Sequence, residues 1–170
     1  MTKTLTQNNK KFKKSYIYNS ICLFLFIEVI LAFFSANFAF AQNLVRNITI
    51  DQGVTRTPLL VHGTSGGSLA ALEVARTEQT ATGYCDGFVN RQPNHTLTLK
   101  KFFDFLKIEV DSSVDTTIVV QGPGGIWCND DANNTNPAIE GKWQPGVYKI
   151  WIGSYRENAT DNYRIRISGE

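Results

Sequence analysis

The chain has 170 residues, 42% of them hydrophobic, and a net charge of +2; that size fits one domain rather than several. The charge is unevenly placed: residues 1–41 hold five of the 17 Lys and Arg and one of the 15 Asp and Glu, so residues 42–170 keep 12 against 14, a net of −2. That balance removes the basic surface a nucleic-acid partner needs, and the pair Lys100-Lys101 fits a solvated strand start.

The first segment reads as an export signal. Lys3, Lys10, Lys11, Lys13 and Lys14 precede an apolar run from Ile21 to Phe34, broken only by Glu28, and Ala39-Phe40-Ala41 supplies small residues where a signal peptidase reads them. Cleavage after Ala41 is expected, which makes the product secreted or periplasmic. The alternative is a retained anchor, since residues 21–41 are just long enough to span a bilayer. Against it, Glu28 sits mid-run, where a carboxylate costs about 3 kcal/mol on insertion scales, and no basic stop-transfer cluster follows. Membrane contact is expected only through an uncleaved segment. Cys22 opens the apolar run instead of ending it, which argues against a lipid-modified cysteine after cleavage.

Residues 42–79 read as N-terminal strands and a loop of the same domain that residues 80–170 form as a β-sandwich core. A short alternating strand is expected near Leu44–Ile50 and another over Thr57–Val61, followed by the Gly/Ser loop at 63–68. Leu69–Thr77 holds the one good helix-former run of the mature chain, too short to be stable alone, and is expected as a surface turn of helix or an irregular crossing. A strand begins over Thr96–Leu99. In Phe102–Val110 the residues Leu106, Ile108 and Val110 share one face, with Lys107 and Glu109 on the other. Thr116–Gln121 is a β-branched strand closed by Gly-Pro-Gly-Gly at 122–125. In Gly146–Ser154, Tyr148, Ile150 and Ile152 alternate with Lys149 and Trp151, which puts Trp151 on the outer face. Tyr163, Ile165 and Ile167 alternate with Arg164 and Arg166 in the last strand. Period-two patterning with regular turn signals predicts an all-β fold, an antiparallel sandwich of Greek-key or jelly-roll type.

Cys85 and Cys128 remain after export, and an even pair in an exported chain predicts one disulfide. Between Cys128 and the strand at 146 lies an acidic, amide-rich loop. Asn129, Asp131, Asn133 and Thr135 offer oxygens at alternate positions, and Glu140 falls twelfth, an echo of the helix-flanked calcium loop. Asn134 stands where that loop has glycine, and asparagine tolerates the left-handed conformation needed there. Calcium held by Asn129, Asp131, Asn133 and Glu140 would be bound weakly; the same residues also suit a polar turn bonded to its own backbone. Trp127, Trp143 and Tyr155 surround this loop and form a candidate rim for a glycan or an extracellular or periplasmic protein, or else pack beneath loops. Ser65 in Gly63-Thr64-Ser65-Gly66-Gly67, with His62 or His95, is the one candidate for nucleophilic catalysis, but no α/β alternation surrounds it. Asn47, Asn94, Asn133 and Asn158 each open an N-x-[ST] triplet, which marks surface loops at most.

The runs Leu97-Thr98-Leu99, Phe105-Leu106-Lys107-Ile108-Glu109-Val110, Asp115-Thr116-Thr117-Ile118-Val119-Val120 and Pro145-Gly146-Val147-Tyr148-Lys149-Ile150-Trp151-Ile152 resemble the bacterial pre-peptidase C-terminal domain. The resemblance spans roughly residues 80–168. It implies a secreted Greek-key or jelly-roll sandwich that serves as a non-catalytic accessory to a secreted peptidase or an extracellular polymer, in some members with calcium. The tract from Gly125 to Tyr155 also looks like small secreted proteins of photosynthetic bacteria that carry such a module alone. The general family does not require the cysteine pair. The reading is therefore a secreted binding or structural module with calcium, a glycan or a protein as ligand; a small serine hydrolase using Ser65 is the alternative.

Overall fold

The computed structural model describes residues 46–51 and 57–169. The expected signal peptide, residues 1–41, lies outside the described residues, as does the start of the first expected strand at Leu44. In chain order, β1 (Arg46–Ile50), β2 (Leu59–Thr64) and β3 (Leu69–Ala70) lead into one helix, α1 (Ala71–Ala75). The short strands β4 (Gln79–Thr80), β5 (Gly83–Tyr84) and β6 (Phe88–Val89) follow. The long ones are β7 (His95–Leu99), β8 (Phe103–Ser112), β9 (Thr116–Gly122), β10 (Gly125–Asn129), β11 (Ala138–Trp143), β12 (Gly146–Ser154) and β13 (Asn162–Gly169).

Two sheets face each other. The first runs β1-β7-β12-β9-β10, with β6 and β3 extending it beside the end of β12; the second runs β11-β8-β13-β2. From β7 onward every connection changes sheet except the β9–β10 hairpin, where Gly122 pairs with Gly125 across the Gly-Pro-Gly-Gly turn. The fold is an all-β sandwich with one disulfide, as the alternation predicts. One ladder departs from the antiparallel expectation: β1 runs parallel to β7, Ile48 beside Leu97 and Ile50 beside Leu99. A parallel pair needs a long crossover, and here the intervening chain visits the other sheet as β2.

The period of two explains the main core. Ile48, Leu97, Leu99, Ile118, Val120, Ile150 and Ile152 point from the first sheet onto Leu106, Ile108, Val110, Ile165 and Ile167 of the second. Each such side chain, fully buried, contributes about 1.5–3 kcal/mol. Two polar ties cross the same interior. His95 Nε2 and the Tyr163 hydroxyl are 2.6 Å apart. Asn94 donates its amide to the Thr64 carbonyl at 2.9 Å and accepts from the Ile152 N–H at 2.9 Å. Asn94, expected in a surface loop, is thus 5% exposed and joins the sheets.

A second apolar cluster lies on the other face of the first sheet. There Ala71, Ala75, Val89, Val119, Trp151 and both cysteines pack together. Trp151 does project opposite Tyr148, Ile150 and Ile152, but the outer face it was expected to present to solvent is covered, and its exposure is 5%. The cover is α1 and the segment that follows it. The helix has only five residues and ends at Arg76 with φ of 57°. Ala71 and Ala75, four apart on one face, are buried, so tertiary packing holds a helix too short to stand alone. Cys85 and Cys128 are bonded, with Cα atoms 5.0 Å apart and a sequence separation of 43. Closing a loop of that length stabilises the fold by about 4 kcal/mol in the chain-entropy account.

Burial, with the nearby Arg46 charge, lowers the His95 pKa from 6.5 to about 4. The unfolded chain takes up this proton near pH 6.5 and the folded chain only near 4, so His95 favours folding above that window and its contribution is lost as pH falls through it. Thermal unfolding measured between these pH values should show the loss in the native chain and a shallower pH dependence in His95→Gln.

Candidate functional site

The richest surface lies where the two sheets part at one edge. β10 is the outermost strand of the first sheet and β11 the outermost of the second. The chain passes from one to the other through residues 130–137, the acidic loop. Three rings converge here from both sheets. Trp127 of β10, half-buried, lies with its ring centre 6.2 Å from Trp143 of β11 and 6.4 Å from Tyr148 of β12; Trp143 and Tyr148 are 4.9 Å apart.

Hydrogen bonds fix two of these rings. Trp143 donates its indole N–H to the Leu106 carbonyl at 2.9 Å, and Tyr148 donates its hydroxyl to the Gln144 carbonyl at 2.9 Å. Gly122 abuts the Tyr148 ring, where any Cβ would strike it. Beside the rings is a groove of about 150 Å³, with Thr82 and Ile139 on its walls and Glu140, Gly141 and Lys142 along one side. Gly141 has φ of 146°, a conformation for glycine, and faces open space. The side chains of Glu140 and Lys142 are 58% and 74% exposed, and they face Lys107 at 3.6 Å and Asp104 at 3.7 Å. Such exposed pairs contribute little to stability, so the groove presents one carboxylate and one ammonium group on its rim.

Thr82 reaches the groove because the β4–β5 hairpin is laid along β10. The Cys128 N–H donates to Thr80 Oγ1 at 3.0 Å, and Thr82 Oγ1 donates to the Cys128 carbonyl at 2.8 Å. Side-chain hydroxyls thus satisfy this stretch of strand edge in place of a ladder partner.

The residues of the expected cation loop are engaged with different neighbours. Asn129 accepts from the Ala138 N–H at 3.0 Å and donates to the Thr82 carbonyl at 2.8 Å. Asn133 donates to Glu109 at 2.6 Å, and Glu140 faces Lys107. Asp131 is exposed. Asn134 has φ of 55°, inside a turn closed by paired bonds between Asn133 and Asn136. Among the described residues no three His, Cys, Asp or Glu side chains are grouped to hold a metal ion. Burial raises the Asp130 carboxyl pKa, with Asp131, Asp86 and Asp115 adding to it, and Asp115 is raised in the same way by burial and by Asp131.

Of the expected rim, Trp127 and Trp143 meet, whereas Tyr155 stands apart. It lies beyond the far end of β12, seven residues from Tyr148 and about 23 Å away at the rise of a strand. It is exposed beside Val114, Asp115 and Arg156. Tyr148 takes the third place instead. Its inward phase was legible, but its place beside Trp127 depends on how the two sheets meet. Thr82 gave no sequence signal, because the hairpin reaches β10 only through tertiary packing. Ser65 is 2% exposed and donates to the Asp161 carbonyl at 3.2 Å. His62 is exposed on β2, and His95 is bonded to Tyr163; neither forms a hydrogen bond with Ser65 among the described residues, so the constellation of the hydrolase alternative is not assembled.

No family model matches the chain. An uncharacterised protein of Synechococcus elongatus is 28% identical over 87 residues, 49% of this chain and 64% of that protein, so the chain spans less than two thirds of that relative. Similar solved structures include the pre-peptidase C-terminal domain of a collagenase from Bacillus anthracis, at 13% identity and TM-score 0.43 over 73% of this chain and 96% of that one. A periplasmic inhibitor of g-type lysozyme from Aeromonas hydrophila has 13% identity and TM-score 0.39, covering 74% and 98%. A surface-associated copper-binding protein of Methylomicrobium album has 8% identity and TM-score 0.43, also covering 74% and 98%. A member of the family that the sequence resembles is thus among the structures to which the chain is similar, while the fold itself follows from the chain's own ladders.

Asn129 holds the two edge strands and the hairpin together. Asn129→Ala leaves the Ala138 N–H and the Thr82 carbonyl without these partners, at a cost of about 1–3 kcal/mol. Thermal denaturation should show a lower midpoint for Asn129→Ala, and a smaller drop for Asn129→Asp, which keeps the acceptor.

Proposed function

We propose that the chain is an exported, non-catalytic binding module, and that its ligand site is the groove between β10 and β11. The observation that carries this reading is the convergence of Trp127, Trp143 and Tyr148 beside an open space of about 150 Å³. A space of that size takes one benzene-sized group, and aromatic walls with a few charges on the rim are the usual chemistry of a recognition site. The Cys85–Cys128 bridge supports export, since structural disulfides form in oxidising compartments. The burial of Ser65 and the lack of a hydrogen bond from it to either histidine among the described residues support a non-catalytic role.

The reading is tested by presenting the purified chain with a linear-peptide library and a glycan array and following tryptophan emission with the ligands recovered. Trp127→Ala should weaken binding by about tenfold, as loss of a central aromatic contact does, with circular dichroism establishing that the variant is folded. Ligands that bind Trp127→Ala and the native chain equally would place the site elsewhere. A fluorophosphonate adduct on Ser65 would overturn the non-catalytic reading.

A weak cation site at the acidic loop is a second reading, favoured by the mutual repulsion that helps raise the Asp115 and Asp130 pKa values. On it, Asn129, Asp131, Asn133 and Glu140 turn toward calcium when it is present. Millimolar calcium chloride should then raise the melting temperature, and Asp131→Ala with Glu140→Ala should abolish the rise. An equal rise with sodium chloride at matched ionic strength would mean screening alone.

A further inference from the structure

The groove's long side is a strand edge. β11 pairs with β8 alone among the described residues. The Val110 N–H donates to the Pro137 carbonyl, and antiparallel pairs alternate between bonded and non-bonded. Ile139 opposite Ile108 and Gly141 opposite Leu106 therefore bond toward β8, while Ala138 and Glu140 turn their backbone groups away from it. The Ala138 N–H confirms the phase, since it donates to Asn129 Oδ1. That bond ends the satisfied part of the edge, and the free part begins at Glu140, against the groove.

The side chains along this edge set what fits. Glu140 and Lys142 project to the outer face. Between them Gly141 has no side chain, and nothing lies within 4 Å of where its Cβ would be. A strand added beside β11 would place one residue opposite each of the three. The middle residue would point inward, by the alternation of a strand, into the space beside Trp127, Trp143 and Tyr148. The flanking two would lie on the outer face, opposite a carboxylate and an ammonium. A sugar is a poorer fit. Trp143 and Tyr148 are 4% and 1% exposed, so the ring cluster offers no broad flat platform, whereas an unpaired backbone edge suits another backbone.

Resting on the groove as the ligand site, we propose that it takes an extended polypeptide segment as an added strand on β11, with one apolar side chain seated opposite Gly141, a basic residue opposite Glu140 and an acidic residue opposite Lys142. The match is of shape, backbone polarity and charge at three successive positions. β11 tolerates a proline at Glu140, because that N–H faces away from β8.

The experiment pans a library of linear 12-residue peptides against the purified full chain, and measures recovered peptides on the native chain, Glu140→Pro and Glu140→Gln. Peptides enriched in a basic–apolar–acidic triplet, bound about tenfold more weakly by Glu140→Pro, which loses the edge N–H, and only about two- to fivefold more weakly by Glu140→Gln, which keeps that N–H and loses one exposed charge, are the expected result. Circular dichroism and thermal unfolding of Glu140→Pro establish that it is folded; should it not fold, slowed hydrogen exchange of the Glu140 amide in the peptide-bound native chain is the expected readout. Peptides that bind Glu140→Pro as well as the native chain overturn added-strand binding but leave the groove as a site if Trp127→Ala still weakens them. Recovery of glycans alone, weakened by Trp127→Ala, overturns the peptide and keeps the groove. A Glu140 amide already protected in the free protein, or a dimer that Glu140→Pro dissolves, means the edge is occupied by this chain itself and overturns the proposal.

Discussion

β12 has no solvent face from Ile150 to Ser154, and its neighbour β9 has none from Thr116 to Val120. A sheet with such strands at its centre must be covered twice. The second sheet covers one side with Leu106, Ile108, Val110, Ile165 and Ile167. On the other side the chain has no broad third sheet among the described residues, only the two-residue strands β4 and β5. It uses five residues of helix, small alanines that allow close approach, and a disulfide that ties this layer to β10. The bridge matters most here because the covering layer is otherwise thin. Neither α1 nor the two-residue strands β4 and β5 bury enough surface to hold themselves in place.

The same layer shapes the groove. With Cys128 bonded to Cys85, the β4–β5 hairpin lies along β10, and its threonine hydroxyls occupy that stretch of strand edge. The edge of the first sheet is thereby closed beside Cys128, while among the described residues the edge of the second stays open at Glu140. The acidic loop between them carries the chain from one sheet to the other, and Asn129 ties its start to both β11 and the hairpin. The site is a consequence of how the sandwich ends at this side: three rings close the gap between diverging sheets, and the remaining gap is the groove.

The sequence carried much of this in its alternation. The long strands β7, β8, β9, β12 and β13 were legible because one side chain in two faces the main core. The disulfide followed from two cysteines in a chain expected to be exported. The phase of Trp151 was legible too, and its burial was not. Alternation tells which residues share a face, but what covers that face depends on distant segments, here α1 and the hairpin. For the same reason Asn94 read as a surface residue although it joins the sheets, and Tyr155 read as part of a rim from which a full strand length separates it. Trp127 and Trp143 were legible as a pair because they flank one loop. Tyr148, Gly141 and Thr82 became neighbours of that pair only through the packing of three separate elements.

The central claim is that a disulfide-pinned layer buries the outer face of the first sheet. Acrylamide quenching of Trp151 as the sole tryptophan, with Trp127→Phe and Trp143→Phe, tests it most directly. Its emission should be blue-shifted and protected while the bridge is intact. In the same background Cys85→Ala with Cys128→Ala should give red-shifted, readily quenched emission while the far-ultraviolet signal stays that of a β fold. Ready quenching of Trp151 in the oxidised protein, or undiminished protection without the bridge, would contradict it.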